Sequence, residues 1–240
     1  MSFGIKVIND YSTLQIDDTY KNLTYKFKGT VNTAIVGVVF SIVLDLAYSP
    51  VIALRPKGGT GCFVCQNAIK VTSLGGGVNR YTVWVIAAKQ SSPVKDFDID
   101  YYVFGPPPSE SEVALPQYGM VIRNSSGEIT YRSDQKYMSI VGLTSLDSPP
   151  NNTSSEVIST RTFPSGRDYA IITSRVSFAK TVINAYPIFV NTYEFVGGFD
   201  IKDNAYQIGS KWRLINTVTN NTGYISSTLN GVIIDVTGLG

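Results

Sequence analysis

The sequence of 240 residues contains no histidine. That absence removes Ser–His and Cys–His catalytic pairs and every His-ligated metal centre. Cysteine occurs twice, as Cys62-Phe63-Val64-Cys65. Two thiols cannot build a disulfide framework, and without His or further Cys they cannot complete a zinc site. Charge is scarce: Asp, Glu, Lys and Arg make up 16% of the chain and the net charge is +2. No whole-molecule field exists for gripping nucleic acid or an acidic membrane. Glu numbers 5 and Met 3, so two good helix formers are in short supply. The most apolar stretch, residues 34–44, is broken by Asp45 and falls well short of the roughly 20 residues a membrane helix needs. It reads as a buried strand with a bend near Gly37. The first ten residues alternate and carry Lys6 and Asp10, so no export signal is expected.

What is abundant favours β-structure. Val, Ile and Thr number 25, 23 and 21, and branching at Cβ restricts χ1 in a way that suits strands. Gly (21), Pro (11) and Asn (15) supply turns. No stretch of 12 or more residues keeps a 3.6-residue period with caps. Strands are expected at about 26–44 with an internal break, 50–55, 62–72, 80–88, 98–104, 138–143, 156–162, 168–177, 180–190, 193–201, 211–219 and 231–237.

An internal repeat organises the chain. Phe3-Gly4-Ile5-Lys6-Val7-Ile8-Asn9 matches Tyr118-Gly119-Met120-Val121-Ile122-Arg123-Asn124 without gaps. The match continues through Leu14/Ile129, Ile16/Tyr131 and Lys21/Lys136. Each unit reads as a hairpin, with Asn124-Ser125-Ser126-Gly127 as one turn and Gly127 free to take positive φ. A period of about 115 residues is the size of one sandwich. The expected fold is therefore all-β: two tandem immunoglobulin-like β-sandwich domains from an internal duplication, at 1–105 and 118–240. The segment 106–117, with Pro106-Pro107-Pro108, is expected to be a stiff extended linker.

Few residues invite chemistry. The Cys62/Cys65 pair lies on a predicted strand, which turns the two thiols to opposite faces, and no helix follows as a redox motif would require. Asp96, Asp98 and Asp100 alternate, so one strand face would carry three carboxylates able to ligate Ca²⁺. An EF-hand requires Gly where Tyr101 stands, and the plainer reading is a charged, solvent-facing sheet edge. Gly58-Gly59-Thr60-Gly61 and Gly75-Gly76-Gly77 lack the Gly-Lys-Ser/Thr and helix of a phosphate loop and read as turns. Nothing in the sequence positions Asp17-Asp18, or Asp200 with Asp203, across a cleft for glycoside hydrolysis. No catalytic residue, metal ligand or cofactor is expected, and the chain is read as non-enzymatic. Tyr101, Tyr102, Tyr131, Tyr137, Trp84 and Trp212 are candidate interaction residues. Phe3, Gly4, Tyr118, Gly119 and Gly127 mark the repeated motif.

The motif also carries a resemblance. Tyr118-Gly119-Met120-Val121-Ile122 with Ile129-Thr130-Tyr131-Arg132-Ser133, and Phe3-Gly4-Ile5-Lys6-Val7 with Leu14-Gln15-Ile16-Asp17-Asp18, are similar to a family of bacteriophage tail and tail-tip proteins of largely unassigned function. Residues 49–56 and 97–105 resemble it as well, while Arg132 stands where relatives usually keep an acidic residue. The resemblance spans most of residues 1–142. It implies a structural component of the virion tail, assembled in the bacterial host cytoplasm. Its partners would be hub, tube or fibre proteins and further copies of itself following tail symmetry, without nucleic acid or membrane insertion. A receptor- or carbohydrate-binding module at the tail tip, meeting a host-surface receptor, is the alternative.

Overall fold

A computed structural model describes residues 6–8, 14–17, 22–32, 39–57, 62–89, 97–115, 117–146, 157–173, 178–184, 190–202, 205–217 and 229–240. Among them there is no helix. The first half supplies β1 (Lys6–Ile8), β2 (Leu14–Asp17), β3 (Thr24–Asn32), β4 (Val39–Leu46), β5 (Val51–Pro56), β6 (Cys62–Gly75), β7 (Val78–Lys89) and β8 (Asp98–Gly105). The second supplies β9 (Val121–Arg123), β10 (Ile129–Arg132), β11 (Ser139–Leu146), β12 (Val157–Thr162), β13 (Tyr169–Thr173), β14 (Phe178–Asn184), β15 (Val190–Lys202), β16 (Ala205–Thr217) and β17 (Leu229–Asp235). Every named pairing is antiparallel.

Two small hairpins, β1–β2 and β9–β10, accompany two large sheets. The six-stranded sheet runs β11-β17-β13-β5-β8-β3, and the larger one runs β12-β16-β15-β6-β7-β4 with β14 added beside β15. Each order mirrors itself about its centre, where β5 meets β13 and β6 meets β15. The strands of the two halves thus join in both large sheets, where tandem separate sandwiches would keep them apart.

The repeat extends to the hydrogen-bond register. Lys6, Val7 and Ile8 face Asp17, Ile16 and Leu14, with a bulge after Val7. Val121, Ile122 and Arg123 face Arg132, Tyr131 and Ile129, with the bulge at the same place. Thr24 faces Gly105 as Ser139 faces Asp235, and the bulge between Tyr25 and Phe27 recurs between Ile140 and Gly142. A bulge fixes which side chains face inward beyond it, so its recurrence gives both halves the same inside and outside.

In the first half the layers pack face to face. Ile42 and Leu44 of β4, Val64 of β6, and Val83, Val85 and Ala87 of β7 meet Ile52 and Leu54 of β5 and Ile99 and Val103 of β8. The alternate residues Ala53, Tyr102 and Phe104 face the other way and join Ala170, Ile234, Val236 and Leu239 in a second cluster. The six-stranded sheet is therefore buried on both faces near its middle, which explains the unbroken apolar runs Val51–Leu54 in β5 and Tyr101–Phe104 in β8.

Three expectations change. The apolar run ending at Leu44 yields, in its described part, an alternating edge strand: Ile42 and Leu44 are buried, Ser41 and Val43 exposed. The strand 98–104 is not an edge, since β8 lies between β5 and β3. The described part of the proline segment, residues 106–115, is not extended throughout. Pro107 and Pro108 are buried. Ser109 to Glu112 closes one turn, in which Ser109 N and its hydroxyl donate to Glu112 Oε2 at 2.6 and 2.9 Å and Val113 N donates to Ser109 O at 3.0 Å. The carbonyls of Val113 and Ala114 accept hydrogen bonds from Arg132 at 2.9 and 2.8 Å.

Candidate docking surface

The outer strands of the six-stranded sheet, β3 and β11, occupy equivalent places in the two halves, and their sequences differ in charge. Counting from the shared bulge, Lys26 and Lys28 of β3 correspond to Val141 and Leu143 of β11. On β3 both lysines are engaged. Lys26 Nζ lies 5.3 Å from the Tyr48 ring centre. Burial draws its pKa below the ordinary lysine value, partly countered by Glu112. Lys28 Nζ lies 3.2 Å from Asp100 Oδ2 and 5.5 Å from the Tyr102 ring centre. Burial works against its charge, but Asp100 and Tyr102 outweigh that and raise its pKa. The start of this edge is also taken, since Thr24 bridges Tyr137, with Tyr25 N donating to Lys136 O at 2.8 Å and Met138 N to Leu23 O at 2.9 Å.

β11 has none of this. Ser139–Leu146 contains no charged residue. Ile140 is 50% exposed, Val141 36% and Leu143 70%. Among the described residues β17 is its only strand partner; the bridge from Tyr137 to Thr24 ends just before it, where Met138 N donates to Leu23 O at 2.9 Å. Charged side chains, lysine above all, are how sheets keep an edge from pairing. β3 carries them and β11 does not.

Asp100 is the charged residue the sheet buries. Its side chain has no solvent exposure, and its carboxylate meets Thr30 Oγ1 at 2.7 Å, Lys28 Nζ at 3.2 Å and Lys57 Nζ at 3.3 Å. Burial pushes its pKa up, and the Thr30 hydroxyl with the two ammonium groups brings it below the ordinary carboxylate value. This corrects the solvent-facing reading: β8 is central, so Asp100 is enclosed, while Asp98 is exposed and accepts from Asn32 Nδ2 at 2.8 Å. Asp96 lies outside the described residues, among which no three His, Cys, Asp or Glu side chains gather as metal ligands. Cys65 is buried on β6, and Gly75, Gly76 and Gly77 form a turn with φ of 85°, 60° and 81°. Asp18, Asp203 and residues 58–61 lie outside the described residues.

The aromatic candidates scatter. Tyr102, 1% exposed, belongs to the core and cannot meet a partner. Tyr101 is half-buried against the inter-sheet core. Tyr131 and Tyr137 stack on each other, with ring centres 4.8 Å apart. Trp84 is half-buried on β7, opposite Ser41 and Ala68; because Val83 and Val85 point into the core, it faces outward. Trp212 stands opposite Phe195 in the backbone pairing of β15 and β16, and its side chain lies outside the described part of the molecule. Of the repeated motif, Tyr118 is 84% exposed, Gly119 and Gly127 have φ of 140° and 80°, and Phe3 and Gly4 lie outside the described residues.

Two features escaped sequence reading. Arg132 has no exposed surface; Asp134 accepts from its Nε and Nη2 at 3.0 and 2.7 Å. Beside it, a cleft of about 440 Å³ between the proline segment and β9–β10 is lined by Glu110, Glu112, Glu128 and Arg123. Arg123 is ion-paired with Glu110, and Glu112 is held by Ser109, whose hydrogen bonds lower its pKa. These carboxylates are engaged in local structure.

No known protein family, curated protein or solved structure matches the chain.

Proposed function

We propose that this chain is a non-enzymatic structural component of a bacteriophage virion tail, at the tail tip or beside the hub or fibre, working by protein–protein docking. The observation that carries this reading is β11, an eight-residue edge with no charge and three exposed aliphatic side chains. Such an edge is a ready template for an added strand. The phage setting rests on the similarity of the repeated hairpin motif. The coincident bulges support descent from one duplicated immunoglobulin-like sandwich unit.

The outward-facing Trp84, beside the exposed Val43 on the same sheet, favours a second reading: a carbohydrate- or receptor-binding module at the tail tip. Cross-linking mass spectrometry on purified particles distinguishes the two. Links from this chain to hub or tube proteins are expected for the structural role. Links confined to its own copies or to a fibre tip would favour receptor binding, and absence from particles would overturn both.

A further inference from the structure

We infer that β11 is a self-association edge, pairing with β11 of a second copy of this chain about a two-fold axis and extending the six-stranded sheet across the dimer. The inference deepens the docking reading and rests on it.

The chain's own chemistry selects the occupant. A strand added to β11 must be extended and must bring no charge to a surface where Ile140, Val141 and Leu143 stand exposed without a charged neighbour on the strand. A buried charge there would lose its hydration without gaining a counter-ion. The other edge of the same sheet, β3, fails this condition. It would bring Lys26 and Lys28, which are already committed to Tyr48 and Asp100, and its start is already bridged to Tyr137. Head-to-tail growth through β3 and β11 is thereby disfavoured, and an open filament with it. A second β11 meets the condition: it is uncharged, of equal length and apolar at the same positions. Antiparallel pairing of a strand with itself is isologous and closes at two copies.

The centre of each sheet already uses this geometry. β5 and β13, equivalent strands of the two halves, meet antiparallel at Leu54 and Ile171, and β6 meets β15 at Val64 and Phe199. Pairing β11 with its own copy repeats that relation at the sheet's end. Eight residues give an edge about 27 Å long at roughly 3.4 Å per residue.

The test is sedimentation velocity of the purified full-length chain and of V141K/L143K, which installs on β11 the lysines that β3 carries at the same positions, at side chains that are already exposed. A K26A/K28A variant controls for charge at the other edge, and circular dichroism checks that each variant is folded. The wild type is expected to sediment as a dimer at roughly 100 µM, with V141K/L143K weakening association at least about tenfold and K26A/K28A leaving it intact. A wild-type monomer at that concentration overturns the inference. So does a dimer that the two lysines leave unchanged, or open-ended polymers that include β3. Failure of the docking reading itself is read separately, on particles. If wild type and V141K/L143K are incorporated equally, β11 has no docking role; if only the wild type is incorporated while the purified chain is monomeric, β11 docks on another protein.

Discussion

The ring of Tyr101 lies directly over Gly29 on the neighbouring strand, so close that a Cβ on Gly29 would sit 2.2 Å from the ring. In the second half the same two places hold Gly231 and Thr144, also paired across strands, with the glycine on the opposite strand. An aromatic ring laid over a strand glycine covers the backbone that the glycine leaves bare. G29A should therefore displace the ring and destabilise the fold by about 1–2 kcal/mol. In a Y101A background the same substitution should cost nothing, because Ala suits a strand better than Gly. A double-mutant cycle in urea measures the difference; an equal cost in both backgrounds would refute the steric account.

Asp100 gives the protein an acid limit. Its folded pKa lies below the ordinary value of 3.8, so the stability it contributes is complete above that value and is lost as pH falls through the lower folded value. Thermal unfolding followed from about pH 6 to about pH 2.5 should show an acid-dependent fall that is shallower in D100N. At neutral pH the same variant should lose about 1–2 kcal/mol, a buried-pair loss reduced because both lysines are partly exposed. Asn230 holds the equivalent place in the strand pairing of the second half.

Arg132 ties the proline segment to the β9–β10 hairpin through the carbonyls of Val113 and Ala114. R132A should destabilise by about 2 kcal/mol, since it removes a fully buried side chain and the hydrogen bonds it gives to Val113, Ala114 and Asp134. R132K should not restore stability, because an ammonium cannot reproduce the planar fork. Limited proteolysis should cleave both variants faster between residues 109 and 117; unchanged cleavage would show that the segment is held by its prolines alone.

Gly127 closes the β9–β10 turn at φ 80° with no atom within 4 Å of where a Cβ would lie. G127A is therefore strained through the backbone alone, at about 1 kcal/mol, lowering Tm by about 2–4 °C in a chain of this size. G127N, which tolerates this region better, should lose less.

Much of the strand layout was legible. Alternation and turn residues located most described strands to within a few positions, and the Asn124–Gly127 turn reads directly from its residues: Asn124 Oδ1 accepts from Ser126 N and Glu128 N at 3.0 and 2.9 Å. Strand order was not legible, because local pattern says nothing about which strands become neighbours when they lie far apart in the chain. The enclosure of Asp100 was hidden for the same reason: its alternation with Asp98 is that of an edge, and only the placement of β8 between β5 and β3 buries it. The bare β11 edge could have been found by aligning the repeat one strand further, where Lys26 and Lys28 fall on Val141 and Leu143.

The meeting of the two halves at the centre of both sheets has a consequence during synthesis. β3 to β8 can all pair among themselves once residue 105 has left the ribosome, yet β5 and β6 then present unfinished edges. Their partners β13 and β15 are complete only at residues 173 and 202, which at about 5–20 residues per second leaves the β5 edge open for roughly 3–14 s and the β6 edge for roughly 5–20 s. The nascent first half is thus most vulnerable to pairing with a neighbour on the same polysome during this interval, and a chaperone that masks strand edges would act there.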